Sequence, residues 1–314
     1  MNTYEGKLAV VTGGGTGMGR ELVLQLAAAG AHVAMCDISE ENMAETAALV
    51  AAASPNCRIS SHVCDVADEA QVLAFRDAVQ SSHEADHIDV LFNNAGIGGG
   101  GSFVADERAD WERTFNICWN GVYLCARAFM ELLVRSEDGA LVNTSSINGF
   151  WASVGADRPH TAYCAAKFAV KGFTEALIAD FRVNAPHLSA HVVMPGHIGT
   201  SIMLNSAEVH GGVNVIDVRK RLALQDIPVD HMSDSDIEAL VAGLGEAFRD
   251  DAPTSSTAAA TVILDAVLAG QWRILIGVDA HAIDELVRAD PSSAYEPEFV
   301  DRVTGAGHLL GLIR

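Results

Sequence analysis

The run Tyr163-Cys164-Ala165-Ala166-Lys167 sets a phenol and an ammonium four residues apart, on one face of a helix. A free phenol ionises near pH ~10, too high to accept a proton at neutral pH. A neighbouring cation stabilises the phenolate, and lowering the pKa by about 3 units takes roughly 4 kcal/mol. Such a pair can serve as an acid–base device. The spacing is common by chance, so taken alone it reads as an exposed helix pair, and its meaning depends on what else the chain carries.

A second candidate lies near the start, in Thr12-Gly13-Gly14-Gly15-Thr16-Gly17-Met18-Gly19. Glycines at these places let the backbone turn tightly and approach a pyrophosphate seated on a helix N-terminus. The spacing is TGxxxGxG rather than GxGxxG, and a glycine-rich turn by itself is only a turn. Its place between a strand-like and a helix-like segment is the context a nucleotide loop requires. About 20 residues on, Asp37 ends the next strand-like run and can bind both ribose hydroxyls of NAD while repelling a 2′-phosphate. No Lys or Arg closely follows it, which favours NAD. The alternative is a helix N-cap, with Glu40 three residues later completing a capping box.

Three other patterns carry less. His83-Glu84-Ala85-Asp86-His87 spells HExxH, but Ile88-Asp89-Val90-Leu91-Phe92 begins a strand at once, so no continuous helix presents both histidines. No metal site is expected. Asn143-Thr144-Ser145 matches a glycosylation sequon inside a core strand. Gly98-Gly99-Gly100-Gly101 reads as a flexible loop beside a cleft.

Positioning these groups requires alternating elements. Strand-length apolar runs fall at Lys7–Thr12, Ala31–Cys36, Arg58–Val63, Ile88–Asn93, Ala140–Ser145 and Ser189–Met194, with a late one at Arg273–Gly277. Helix-period segments separate them at Met18–Ala29, Glu40–Ala53, Asp68–Ser82, Trp111–Arg135, Ala162–Asn184 and Ser255–Ala269. Near-continuous apolar strands joined by helices imply right-handed crossovers and a parallel sheet covered on both faces. The fold class is therefore α/β, a single doubly wound domain with about seven parallel strands. Residues 1–290 are expected to form it, with 201–253 as a helical insertion over the active face. Residues 291–314 form a C-terminal extension whose apolar end, Leu309-Leu310-Gly311-Leu312-Ile313, seeks a partner surface.

Composition narrows the function classes. The 314 residues carry 20 Lys+Arg against 41 Asp+Glu, a net charge of −21 that disfavours nucleic acid and anionic lipid. Apolar residues at 49% and charged ones at 19% fit a globular protein. No run of about 18 uncharged apolar residues marks a membrane span. Met1–Lys7 does not read as a signal peptide. Six scattered cysteines without a CxxC pair suit reduced thiols in a cytoplasmic protein.

TGxxxGxG, Asn93-Asn94-Ala95-Gly96, Ser146, YxxxK and Pro195-Gly196 occur in that order, and five ordered motifs are together specific. The sequence resembles the NAD(P)-dependent short-chain dehydrogenase/reductase family from residue 5 to residue 200, and more loosely to 280. The resemblance implies that Tyr163 is the acid/base group on the substrate oxygen. It implies that Lys167 lowers the phenol's pKa and holds the nicotinamide ribose, and that Ser146, rather than Ser145, orients the carbonyl. By the same resemblance the cofactor contacts are Gly13, Thr16, Gly17, Met18 and Gly19, then Asp37, with Asp65 and Val66 over the adenine. Asn93, Ala95 and Gly96 would line the cleft, and Pro195, Gly196, Ile198 and Thr200 would meet the nicotinamide side. Relatives also imply a homodimer or homotetramer built on Trp111–Arg135 and Ala162–Asn184.

One family residue is absent. The Asn that completes a proton relay from the Lys falls, by count from Trp111 and from Gly121, on Cys118. Asn116 and Asn120 flank it, but two helical residues span about 200° and face away. The expected substrate pocket, with Asn148, Trp151, His160, His197 and Met203, is broad and mostly apolar. It suits a bulky secondary alcohol or ketone of steroid, terpene or aryl type. The rival readings are an NADPH-dependent ketoreductase and a non-catalytic NAD(H) sensor on the same scaffold.

Overall fold

The computed structural model describes residues 1–155, 159–224, 228–229 and 231–305. The first half lays down β1 (Leu8–Thr12), α1 (Gly17–Ala28), β2 (His32–Asp37), α2 (Glu40–Ala53), β3 (Ile59–Val63), α3 (Glu69–His83) and β4 (Val90–Asn93). A long helical rod follows as α4 (Arg108–Phe115), a π turn at Asn116–Asn120, and α5 (Gly121–Val134). Then come β5 (Ala140–Thr144), a 3-10 turn at Ile147–Gly149, α6 (Thr161–Asn184) and β6 (Ser189–Pro195). The chain ends through β7 (Ile198–Gly199), α7 (Ile202–Val209), α8 (Val215–Leu224), α9 (Asp234–Asp250), β8 (Thr254–Ser255), α10 (Ser256–Leu268), β9 (Arg273–Ile276), α11 (Val278–Ala289) and α12 (Pro297–Gly305).

Seven strands form one parallel sheet in the order β3-β2-β1-β4-β5-β6-β9. Strand order reverses between β1 and β4, where crossovers leave to opposite faces and a crevice opens at the carboxyl ends. The core is split by the sheet. One side gathers Ala9, Val11, Leu22, Leu26, Val33, Met35 and Ile263; the other gathers Val10, Leu91, Phe75, Phe129, Leu133 and Leu141. Adjacent strand residues face opposite layers, as a pleated strand buried on both faces requires.

The insertion expected at 201–253 is helical, as α7, α8 and α9. Its two ends are tied by the short parallel pair β7–β8, Ile198 against Thr254 and Gly199 against Ser255. The excursion therefore leaves and returns at one point. Membrane crossing can be tested against Arg108–Val134, 27 residues of mean hydropathy 1.3, the one described helix of sufficient length and apolarity. Its Val122, Cys125, Ala126, Phe129, Leu132 and Leu133 are buried against the fold, which accounts for the apolarity as core.

Trp151 corrects the expected pocket. Its indole is wholly buried, donates Nε1–H to the Ala294 carbonyl at 2.7 Å and packs on Phe299. With Ile147, Ala280, Ile283, Val300 and Val303 it forms a satellite core that binds the C-terminal segment to the loop after β5. A large aromatic supplies more buried area there than the small sheet edge provides, so packing claims it. The apolar end of the chain, 309–313, lies outside the described residues.

The helix at 111–135 starts three residues earlier and carries a π turn. The glycine run at 98–101 is not free either. Gly100 and Gly101 carbonyls accept from the Ala162 and Thr161 amides at 3.0 and 2.9 Å, satisfying the first donors of α6. Trp151→Ala should cost about 3–5 kcal/mol of stability, by cavity formation and lost burial. Urea unfolding measures it, and a loss under about 1 kcal/mol would refute the anchoring role.

Candidate active site

The nucleotide end is built around the β1–α1 turn. Gly13 and Gly17 have φ of 69° and 54°, a left-handed conformation that glycine adopts without strain. A Cβ on Gly13 would stand 2.9 Å from the Ala95 Cα, and one on Gly19 would overlap the Gly13 carbonyl. α1 begins without a side-chain cap at Thr16 and without an acidic residue in its first turn. Its leading N–H groups are thus offered to an anion, as the spacing of the motif requires.

The loop is stapled to β4. The Thr12 hydroxyl accepts from the Asn94 and Ala95 amides, both at 3.0 Å, and the Asn94 side chain donates to the Thr12 carbonyl at 3.2 Å. Asn94 Oδ1 is buried without a partner. Asn93, the residue expected to line the cleft, turns its side chain the other way. Asn93 donates to Asn143 Oδ1 at 2.9 Å, and Asn143 donates to the Thr174 hydroxyl at 3.0 Å. Asn93 therefore ties β4 to β5 and α6, while Ala95 and Gly96 remain at the cleft wall.

Asp37 closes β2 with its carboxylate over the loop, accepting from the Gly15 amide at 3.0 Å and the Ser39 amide at 3.1 Å. The N-cap of α2 is Ser39, which accepts from Asn42, so the capping alternative for Asp37 does not hold. The loop's own cation, Arg20, is spent on the Gly15 carbonyl at 2.9 Å and on Glu45 at 2.6 Å. Asp65 accepts from the Ala67 amide, and Val66 packs on Gly121 of α5.

Opposite stands the β5–α6 corner. The Ser145 hydroxyl donates to the Lys167 carbonyl at 2.7 Å, and Lys167 Nζ donates to the Thr144 carbonyl at 2.9 Å. Gly149 is required at this crossing, since a Cβ there would meet the Lys167 carbonyl oxygen at 2.8 Å. Ser145 is thus a structural pin, and Ser146 is the hydroxyl left for the cleft. It accepts from the Asn148 amide and reaches the Tyr163 hydroxyl. Lys167 Nζ lies 5.4 Å from the centre of the Tyr163 ring.

Burial is the largest influence on both titrating groups. It pushes the Tyr163 phenol up, with Cys118 adding to the push and the Ser146 hydroxyl opposing it. It pulls the Lys167 ammonium down, against Cys118. Cys118 sits in the π turn, wholly buried, and donates its thiol to the Ile97 carbonyl at 3.1 Å. Asn116 and Asn120 bond one another on the exposed face, so neither replaces the missing amide. A π turn re-aims one residue of a helix, and here that residue is the cysteine.

The remaining expected residues divide. Thr200 lies against Gly17 across the cleft, and Asn205 of α7 donates to the Thr16 hydroxyl at 3.1 Å. Ile198 buries its side chain in the core and offers only main chain. Gly196 is held by Asp279 at the start of α11; a Cβ there would overlap that carboxylate, which accepts from the His197 amide at 2.6 Å. His197 itself leaves the pocket: Nε2 bonds the Phe248 carbonyl at 2.6 Å and the ring packs, tilted, on that of Phe248, anchoring α9. Asn148 donates to the Trp151 and Ser153 carbonyls and shapes its own loop. Met203 is partly exposed on α7, and the His160 ring packs 4.7 Å from that of Tyr163. HExxH is broken as expected, because Glu84 takes φ 51° and ends α3 between the two histidines.

Comparison with known proteins agrees with this geometry. Residues 7–209 match the model of the short chain dehydrogenase family. SadH of Mycobacterium tuberculosis, which carries an oxidoreductase designation, is 33% identical over 296 residues, 93% of this chain and 94% of its own. Levodione reductase of Leifsonia aquatica is 32% identical over 207 residues, 65% of this chain and 73% of its own. A short-chain dehydrogenase/reductase of Burkholderia phymatum, solved in complex with NAD, superposes with a TM-score of 0.75 at 26% identity. That superposition covers 95% of this chain and 98% of the other. The chain belongs to the short-chain dehydrogenase/reductase family of NAD(P)-dependent oxidoreductases.

Proposed function

We propose that this oxidoreductase uses NAD to interconvert a secondary alcohol and its ketone, with Tyr163 as the acid–base group. The observation that carries the reading is the convergence of Ser146, Tyr163 and Lys167 beside a glycine loop that Asp37 overhangs. The uncapped start of α1 and the glycine contacts at Gly13 and Gly19 fit a dinucleotide. Gly13, Thr16, Gly17, Met18 and Gly19 would cradle its pyrophosphate, Asp37 its adenosine ribose, and Asp65 and Val66 its adenine. Ala95, Gly96, Pro195, Gly196, Ile198 and Thr200 would flank the nicotinamide, whose ribose falls to Tyr163 and Lys167. When bound, the nicotinamide supplies the hydride acceptor for alcohol oxidation and the hydride donor for ketone reduction.

In oxidation Tyr163 takes the hydroxyl proton while Ser146 holds the same oxygen; in reduction Tyr163 gives the proton back. Lys167 lowers the cost of the phenolate. Tyr163 packs against the apolar cluster of Ile97, Cys118 and Ala166, which Phe115 and Val209 also join, and this apolar setting supports a bulky apolar substrate of steroid, terpene or aryl type. Such a reading places the protein in the cytoplasm, with no nucleic-acid or membrane partner. Cys118 is what favours the rival, a non-catalytic NAD(H) sensor; turnover separates the two.

Tyr163→Phe should lower kcat for alcohol oxidation by about 100- to 10,000-fold, the usual weight of a positioned proton acceptor. NADH formation followed at 340 nm measures it, and an unchanged rate would refute the assignment. Burial raises the phenol, so its proton-accepting form is populated only toward alkaline pH. Oxidation should therefore climb with pH, and reduction should decline over the same range.

Asp37→Ser should lower kcat/KM for NAD by about 10- to 100-fold, the weight of a charged hydrogen bond, while improving use of NADP. A wild-type enzyme that prefers NADP would instead support the ketoreductase reading. Trp119 of the π turn, Tyr123 of α5 and Phe173 of α6 form an aromatic cluster, with Tyr123 half-exposed. We assign this face to self-association as a homodimer or homotetramer. Sedimentation should show it, and Tyr123→Glu should shift the protein toward monomer; a monomeric wild type would refute it.

A further inference from the structure

Most polar side chains expected to line the pocket, and Asn205 and Ser206 of the neighbouring α7, already have hydrogen-bond partners. Asn148 donates to two loop carbonyls, Trp151 to Ala294 and His197 is bonded to Phe248. On α7, Asn205 holds Thr16, and Ser206 donates to the Ile202 carbonyl at 2.5 Å. His210, which caps α7, lies 3.2 Å from the Gly98 carbonyl and 3.3 Å from the Asp110 carboxylate.

His160 differs. It sits at the N-cap of α6, one turn before Tyr163, with the two rings 4.7 Å apart and tilted by 35°. Among the described residues neither of its ring nitrogens has a protein partner. Burial pushes the imidazole down to about 4, so at neutral pH it is uncharged. One nitrogen then donates and the other accepts. That suits a hydroxyl or carbonyl and gives no ion pair to a carboxylate. A phenyl ring would pack on Tyr163 as well; the half-buried imidazole adds a donor and an acceptor that no group of the described residues uses.

We propose that His160 is a specificity residue that hydrogen-bonds a second substrate oxygen, carried on the carbon beside the carbinol carbon. The substrate is then a vicinal diol or α-hydroxy ketone on an otherwise apolar frame. This inference rests on the reading of Tyr163 as the group that meets the first oxygen. Contact between the two rings places the second oxygen close to the first. Tyr163 itself belongs to an apolar cluster with Ile97, Phe115 and Val209, which suits an otherwise apolar frame.

The test compares vicinal cyclohexanediol with cyclohexanol for wild type, His160→Phe and His160→Gln. His160→Phe keeps a ring against Tyr163 and should lower kcat/KM for the diol by about 5- to 10-fold, the worth of one buried hydrogen bond. Cyclohexanol should change by less than about 2-fold. His160→Gln, which restores a donor and an acceptor, should recover part of the diol preference. Equal losses on both alcohols would reduce His160 to a support for Tyr163 and overturn the proposal, as would no loss on either. Binding of the same pair to the enzyme–NADH complex, read by NADH fluorescence, gives a measure independent of turnover. Equal affinities there overturn the role of His160 alone, whereas failure to bind NADH overturns the dehydrogenase reading with it.

Discussion

A buried ammonium governs the arrangement of this cleft. Lys167 is 3% exposed, and among the described residues its Nζ has one hydrogen-bond acceptor, the Thr144 carbonyl. Removing a charge from water is costly unless it is paired, so the remaining N–H donors must be answered from the cleft. Gly96 faces that side without a side chain, at a distance where a Cβ would stand 3.4 Å from Nζ. Around this one atom the fold must hold β5, α6 and the β4 loop within hydrogen-bonding tolerance. The Ser145–Lys167 bond, the close crossing at Gly149 and the Asn93–Asn143–Thr174 chain all serve that end.

The second half of the cleft depends on the sheet's reversal between β1 and β4. Parallel neighbours there diverge at their carboxyl ends, and Thr12 and Asn94 bridge the gap with main-chain and side-chain bonds. The same crevice then receives two later pieces of chain. α7 touches the glycine loop through Asn205, and α11 supports Gly196 through Asp279. Neither contact belongs to a motif. Both act on residues that do.

Cys118 changes the hydrogen-bonding group beside the phenol. In place of an amide it puts a thiol, committed to the Ile97 carbonyl, beside a tyrosine whose ionisation burial already opposes. The π turn Asn116–Asn120 carries it, with its side chain wholly buried. Geometry and chemistry have parted at this position, which is why activity and not fold is the property it puts at stake.

Much of this was legible without coordinates. Alternating apolar runs and helix periods specify a parallel sheet because strands covered on both faces must be apolar throughout. The glycine turn between β1 and α1 and the place of Asp37 at the end of β2 were readable from short-range spacing, whereas Tyr163 and Lys167 read by spacing alone as an exposed helix pair, and the structure buries the lysine. Trp151 and His197 were not. An aromatic ring and an imidazole near a cleft look alike in sequence whether they face substrate or core. Only contacts 143 residues apart for Trp151 and 51 for His197 decided it. The different partners of Asn93 and Asn94, Ser39 over Asp37 as cap, and the support from Asp279 came to light in the same way. Local spacing sets the direction of a side chain relative to its own element, but its partner is set by how the elements pack.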